Sequence, residues 1–96
     1  MYNNITAKDL KALIGKANII DIRSSYMYNM GSIPGSKNIP SNYLTLNPEK
    51  YLSKDDKYYI YCSSGMNSSK VCSILSKLGY DVVNVLGGYY DYVSNL

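Results

Sequence analysis

The sequence predicts an α/β fold, a small, mostly parallel β-sheet flanked by helices on both faces. Three observations point there. Short apolar runs of the buried-strand type recur at residues 17–22, 57–62 and 81–86. Helical patterns lie between them, which implies crossover connections and hence parallel strands. Glycines stand where those helices should stop, at Gly15, Gly31 and Gly79.

The elements follow in order. Thr6 is a suitable N-cap for a helix over residues 7–14, with Leu10, Leu13 and Ile14 on one face. Residues 17–22 form a strand, with Asp21 and Arg23 at its end. Residues 24–30 form a one- to two-turn helix. Ile33-Pro34-Gly35 is a turn, and residues 37–39 are a short strand stopped by Pro40. Residues 43–52 read as a looser segment, broken at Pro48 and anchored by Tyr43, Leu44, Leu46, Tyr51 and Leu52. Residues 57–62 are the next strand. The clearest helix runs over 68–78, with Val71, Cys72, Ile74, Leu75 and Leu78 on one face. A strand at 81–86, a Gly87-Gly88 turn and a helix at 89–93 complete the chain.

Ninety-six residues make a single domain, spanning 1–96. A chain of this size hides roughly 60–70% of its unfolded surface, enough for a core without staples. Its 46% hydrophobic and 18% charged residues are ordinary for a globular protein. The net charge of +3 comes from scattered lysines, with no stripe that would hold a nucleic acid. No apolar stretch reaches 18 residues, and Met1 opens no signal-peptide pattern. The expectation is a cytoplasmic protein with no nucleic-acid or membrane partner. Twelve tyrosines with no Phe or Trp suggest coding bias. Most of their hydroxyls are expected at the core edge, in water.

The chemistry concentrates at Cys62. It ends a strand, a small-residue loop follows (Ser63, Ser64, Gly65, Met66, Asn67), and a helix begins near Ser68. A cysteine so placed can face a cup of backbone N–H groups that binds anions and favours a thiolate. The chain has no His, so Cys–His catalysis and His-based metal sites are excluded. Two cysteines without His fall short of a structural zinc site. No metal or other cofactor is expected. Activation of the thiol must come from backbone dipoles or cations. Cys72 falls on the apolar helix face and reads as a core thiol. Ser68 reads equally as a ligand for a bound sulfur or as a helix cap. Arg23 reads as an attractor of anionic donors or as a structural fork to Asp21 or carbonyls. Lys70 reads as a solvated lysine.

Four stretches resemble the rhodanese-like sulfurtransferase family, over nearly the whole chain. Asp21-Ile22-Arg23-Ser24 resembles its D-x-R-S. Residues 28–40, from Tyr28 through Gly31, Ile33, Pro34 and Gly35 to Asn38, Ile39 and Pro40, resemble its aromatic-x-x-G-H-I-P-G-A-x-N-I-P. Residues 59–68 resemble its active-site stretch, commonly C-x-x-G-x-R-S. Residues 86–92, with Gly87-Gly88 and Tyr92, resemble its closing G-G-x-x-x-W.

This resemblance implies that Cys62 is a nucleophile that takes a sulfane sulfur as a persulfide. Residues 63–68 then hold the substrate, with Arg23 near the mouth. The implied partners are a small-molecule sulfur donor, thiosulfate or a thiol persulfide, and a thiol or cyanide acceptor. A sulfur-accepting protein is a further implied partner.

The chain also departs from the family. Asn67 stands where Arg is frequent, and Ser63 where another Arg often occurs. Ser32 replaces a common His, Tyr26 and Met27 replace an acidic pair, and Tyr92 replaces Trp. An uncharged loop implies weaker handling of thiosulfate, by about 10- to 100-fold, and a preference for thiol persulfides. Phosphatase and arsenate-reductase loops need Arg at the sixth position after Cys, where this chain has Ser68. The remaining rival is a non-catalytic rhodanese-fold module used for binding or for carrying sulfur.

Overall fold

The computed structural model describes residues 1–96. Five strands make one sheet: β1 (Asn3–Thr6), β2 (Asn18–Asp21), β3 (Lys37–Asn38), β4 (Lys57–Tyr61) and β5 (Asp81–Leu86). Their order across the sheet is β1-β5-β4-β2-β3, and every neighbouring pair is parallel. Six helices connect them: α1 (Ala7–Leu10), α2 (Ser25–Met30), α3 (Ser41–Leu46), α4 (Pro48–Tyr51), α5 (Met66–Lys77) and α6 (Gly88–Ser94). None is long and apolar enough to cross a membrane.

Alternate residues of the central strands point to opposite faces, and each face has its own core. On one side Ile20, Tyr58, Ile60, Cys62 and Val82 pack with Leu44 of α3 and with Val71, Cys72 and Leu75 of α5. On the other, Ile19, Tyr61 and Val85 pack with Ala7 and Leu10 of α1 and Tyr92 of α6. Helices thus cover both faces, as the sequence predicts, and the sheet is parallel throughout.

Several elements depart from the sequence reading. β1 was not expected: Asn3-Asn4-Ile5-Thr6 has no apolar run, yet it pairs with β5 as an exposed edge. Thr6 accepts the Asp9 N–H as expected of a cap, but the α-helix stops at Leu10 and tightens into a 3-10 turn over Lys11–Leu13. The loose segment at 43–52 is mostly two short helices, α3 and α4. Pro48 opens the second, where its missing N–H costs nothing. Leu44 and Leu52 anchor this segment, while Tyr43 and Leu46 are exposed.

Helix α5 begins at Met66, two residues ahead of Ser68. Gly65 takes φ +96° and turns the chain into the helix without a side-chain cap. Ser68 therefore lies inside the helix. The buried face is Ser68, Val71, Cys72 and Leu75, while Ile74 and Leu78 are about half exposed, at 46% and 49%.

Candidate active site

β4 lies centrally, between β5 and β2, and Cys62 follows directly on its last residue. This is the carboxyl edge of the sheet, where open parallel folds place their ligands. The strand's alternation turns Cys62 toward α5, and the residue is 4% exposed.

The turn from β4 into α5 wraps around the sulfur. The Gly65 N–H donates to Cys62 Sγ at 3.1 Å, and the Ser68 N–H donates to it at 3.3 Å. The Cys62 thiol also meets the Ser68 hydroxyl at 3.4 Å. Burial pushes the thiol up, but it is outweighed. The Ser68 hydroxyl and the N–H groups of Ser68, Gly65 and Ser64 hold Cys62 below the ordinary thiol range. These groups are neutral dipoles at the start of a helix, and no charged side chain takes part.

A second layer fixes the loop's path. The Tyr89 N–H donates to the Cys62 carbonyl at 2.9 Å, and the Tyr90 N–H donates to the Ser63 carbonyl at 3.0 Å. Gly88 makes this approach possible. A Cβ there would collide with the Cys62 and Ser63 carbonyl oxygens, and its φ of +56° is left-handed.

The sequence-predicted residues of the loop divide into three groups. Cys62, Gly65 and Ser68 converge on the sulfur. Ser63 and Ser64 lie in the loop as expected. The Ser64 hydroxyl accepts the Met66 N–H at 3.5 Å, and no hydrogen bond joins either side chain to Cys62. Met66 and Asn67 occupy the first turn of α5 with exposed side chains. Asn67 stands clear of every hydrogen bond in the site.

Arg23 is placed differently. It is 7% exposed and forks onto the fully buried Asp21, with Nη2 2.7 Å from Oδ2 and Nε 3.1 Å from the same oxygen. Nη2 also donates to the Gly31 carbonyl at 2.6 Å. Its guanidinium lies over the Tyr89 ring, 4.3 Å from the centroid. Burial works against its charge, but Asp21 outweighs burial and raises the guanidinium above its ordinary value. Asp21 is thus the acidic partner of Arg23. None of the Arg23 hydrogen bonds reaches the cysteine loop.

Two buried residues escaped the sequence reading. Asn84, in the middle of β5, is 2% exposed, and its Oδ1 lies 2.6 Å from the Ser68 hydroxyl. The available signal was a lone amide inside Val82-Val83-Asn84-Val85. Tyr61 is fully buried, not at the core edge. Its hydroxyl accepts the Ile33 N–H and bonds the Ser36 hydroxyl, both at 3.0 Å, and burial pushes its pKa up. Cys72 is the core thiol expected, pushed up to about 12 by burial and then by the neighbouring Cys62.

Comparison with known proteins agrees with this geometry. A family model described as a rhodanese-like domain matches residues 6–95. YtwF of Bacillus subtilis is 39% identical over 72 residues, which make up 73% of this chain and 67% of that protein. The thiosulfate sulfurtransferase PspE of Escherichia coli is 32% identical over 77 residues, 75% of this chain and 70% of that protein. The crystal structure of a rhodanese-related protein from Thermoplasma volcanium superposes with a TM-score of 0.88 at 34% identity, covering 97% of this chain and 92% of that one. The fold, the cysteine loop and the family match agree, and the chain belongs to the rhodanese-like domain family.

Proposed function

We propose that this protein is a sulfurtransferase that carries a sulfane sulfur from donor to acceptor as a persulfide on Cys62. The observation that carries this reading is the pair of N–H groups, from Gly65 and Ser68, donated to Cys62 Sγ. A dipole cup around a buried cysteine serves a sulfur that must hold negative charge. Core packing alone has no use for it.

The steps balance without a base. The Cys62 thiolate attacks the outer sulfur of a thiol persulfide. A Cys62 S–S bond forms, the donor S–S bond breaks, and the donor thiolate leaves. With thiosulfate the leaving group is sulfite. In the second half, cyanide or a thiolate attacks the outer sulfur of the Cys62 persulfide. Thiocyanate or a new persulfide departs, and the Cys62 thiolate returns. The amides that hold the thiolate also suit the anionic persulfide, so the cup serves both halves.

Thiol persulfides are the preferred donors in this reading. The loop offers a dianionic thiosulfate no charged side chain. Arg23, the cation that the sequence offered as an attractor of anionic donors, is neutralised by Asp21. An apolar hollow of about 440 Å³ lies between α2 and α6, lined by Tyr26, Met27, Met30, Tyr89, Tyr90 and Val93 together with Arg23 and Gly31. Tyr89 and Tyr90 are the residues whose N–H groups hold the Cys62 and Ser63 carbonyls. Such a surface suits the organic part of a thiol donor and, with Arg23 closed on Asp21, offers thiosulfate little.

The test is kcat/KM for thiosulfate and for glutathione persulfide, with cyanide as acceptor and thiocyanate as product. The reading expects the persulfide to win by about 10-fold or more. Equal rates would remove the donor preference. No thiocyanate from either donor would favour the binding-module alternative, for which the uncharged loop is the supporting observation.

A further inference from the structure

Four polar side chains form a line through the otherwise apolar layer between the sheet and α5. Cys62 Sγ meets the Ser68 hydroxyl at 3.4 Å. That hydroxyl meets Asn84 Oδ1 at 2.6 Å and the Gly65 carbonyl at 3.2 Å. Asn84 Nδ2 meets Asn4 Oδ1 at 3.3 Å, and Asn4 is exposed on β1. Asn4 and Asn84 are register partners in the β1–β5 pair, which sets their amides side by side. A buried amide on an apolar strand face is costly unless both its ends are satisfied, and here both are.

The Ser68 hydroxyl has one proton and faces several acceptors. When Cys62 is a thiol, S–H donates to Ser68 Oγ and the Ser68 proton goes to Asn84 Oδ1. A thiolate cannot donate, so the Ser68 proton must turn toward the sulfur. Asn84 Oδ1 would then face a bare hydroxyl oxygen at 2.6 Å, a repulsive contact between two acceptors. The two ends of an amide have the same shape. If the Asn84 amide turns over, Nδ2 donates to Ser68 Oγ and Oδ1 faces Asn4. Asn4 is exposed, so its own amide is free to turn and donate in reply.

We propose that Asn84 is a positioning residue that acts on Cys62 through Ser68, its amide turning end for end to direct the Ser68 proton toward or away from the sulfur. The proposal rests on Cys62 as the reacting group. Its test reads ionisation of the thiol and not turnover, so a protein without sulfurtransferase activity leaves it standing. Other groups around the sulfur do not compete for this role. Cys72 on α5 is the titratable neighbour, and its thiol stays neutral at physiological pH. Asp21 and Arg23, on the β2 side, are closed on each other. Lys70 on α5 is exposed.

Two measurements test it. The first is the pH dependence of Cys62 alkylation by iodoacetamide, in a Cys72→Ala background so that one thiol reports. Asn84→Asp keeps the shape and, ionised, cannot donate and adds a charge. It should lower the thiolate fraction below the midpoint by about tenfold or more, a rise of about one pKa unit. In Ser68→Ala the same Asn84→Asp change should do distinctly less, because the link is gone. An Asn84→Asp midpoint equal to that of the parent, or an equal shift with and without the Ser68 hydroxyl, overturns the proposal. The second uses the wild-type protein and needs no folded variant. The side-chain NH2 resonances of Asn84 should move with the same midpoint as Cys62 ionisation. Asn84 resonances that stay flat through that titration overturn it equally.

Discussion

Ser68 addresses the Cys62 sulfur twice, with its backbone N–H 3.3 Å from Sγ and its hydroxyl 3.4 Å away. The two contacts can be separated by mutation. Ser68→Ala keeps the amide and removes the hydroxyl. A hydrogen bond to a charged group is worth about 1.5–3 kcal/mol, so the Cys62 midpoint should rise by one unit or more. The alkylation rate at neutral pH should fall about tenfold. The variant should also lose about 1–3 kcal/mol in urea unfolding, because Asn84 Oδ1 loses its partner in a buried site. An unchanged pH profile would show that the amides alone hold the thiolate.

Gly88→Ala tests the approach of α6 to the cysteine loop. The new methyl group meets the Cys62 and Ser63 carbonyl oxygens, and the left-handed φ of +56° adds strain. The loss should be about 3 kcal/mol or more, measured by urea unfolding. The Tyr89 and Tyr90 hydrogen bonds to the loop should be lost, which faster amide exchange at those residues would reveal.

Arg23→Ala is expected to act on stability first. It leaves the Asp21 carboxylate, fully buried, without its partner, and breaking such a pair costs about 3–5 kcal/mol. The Asp21→Asn/Arg23→Ala double variant should recover part of that loss. A fully stable Arg23→Ala with a raised KM for thiosulfate alone would instead make Arg23 a donor-binding residue.

Alkaline pH should destabilise the fold through Cys72. Its thiol is raised from 9.0 to about 12 in the folded state. A raised pKa stabilises fully below the unfolded value, and the contribution is lost as pH climbs through the folded one. The loss should therefore run from about pH 9 toward 12, at about 1.4 kcal/mol per unit. Tyr61, whose ordinary value is 10.0, is raised also and adds to the slope above pH 10. Cys62 has the opposite sign. Its lowered pKa gives a contribution that is complete above pH 9 and fades as pH falls through the folded value. In Cys72→Ala the fall in stability between pH 9 and 10 should be distinctly shallower than in the wild type, because only Cys62 and Tyr61 remain to act there.

Asn67→Arg tests the uncharged loop. Asn67 is exposed in the first turn of α5, so the longer side chain meets no packing conflict. A guanidinium there should raise kcat/KM for thiosulfate by about 10- to 100-fold and change the persulfide rate much less. Equal gains for both donors would contradict the assigned preference.

The strand–helix alternation, the cysteine at a strand end and the glycine stops were legible in the chain because they follow local periodicity and turn chemistry. β1 was not. Asn3-Asn4-Ile5-Thr6 has no buried face of its own and becomes a strand only because β5 presents a free edge. The start of α5 was misplaced because Ser68 looks like a cap, while a left-handed glycine needs none. Asn84 belongs to the site through a partner distant in sequence, Ser68, so no local pattern carries it; the Gly87-Gly88 turn was legible, but the contact of Gly88 with the Cys62 and Ser63 carbonyls was not.

The most direct measurement is the intact mass of the protein after treatment with a persulfide or thiosulfate donor. The account predicts a gain of one sulfur atom in the wild type and in Cys72→Ser, lost on addition of cyanide, and no gain in Cys62→Ser. A protein that gains no sulfur from any donor, or one whose gain persists in Cys62→Ser, would contradict it.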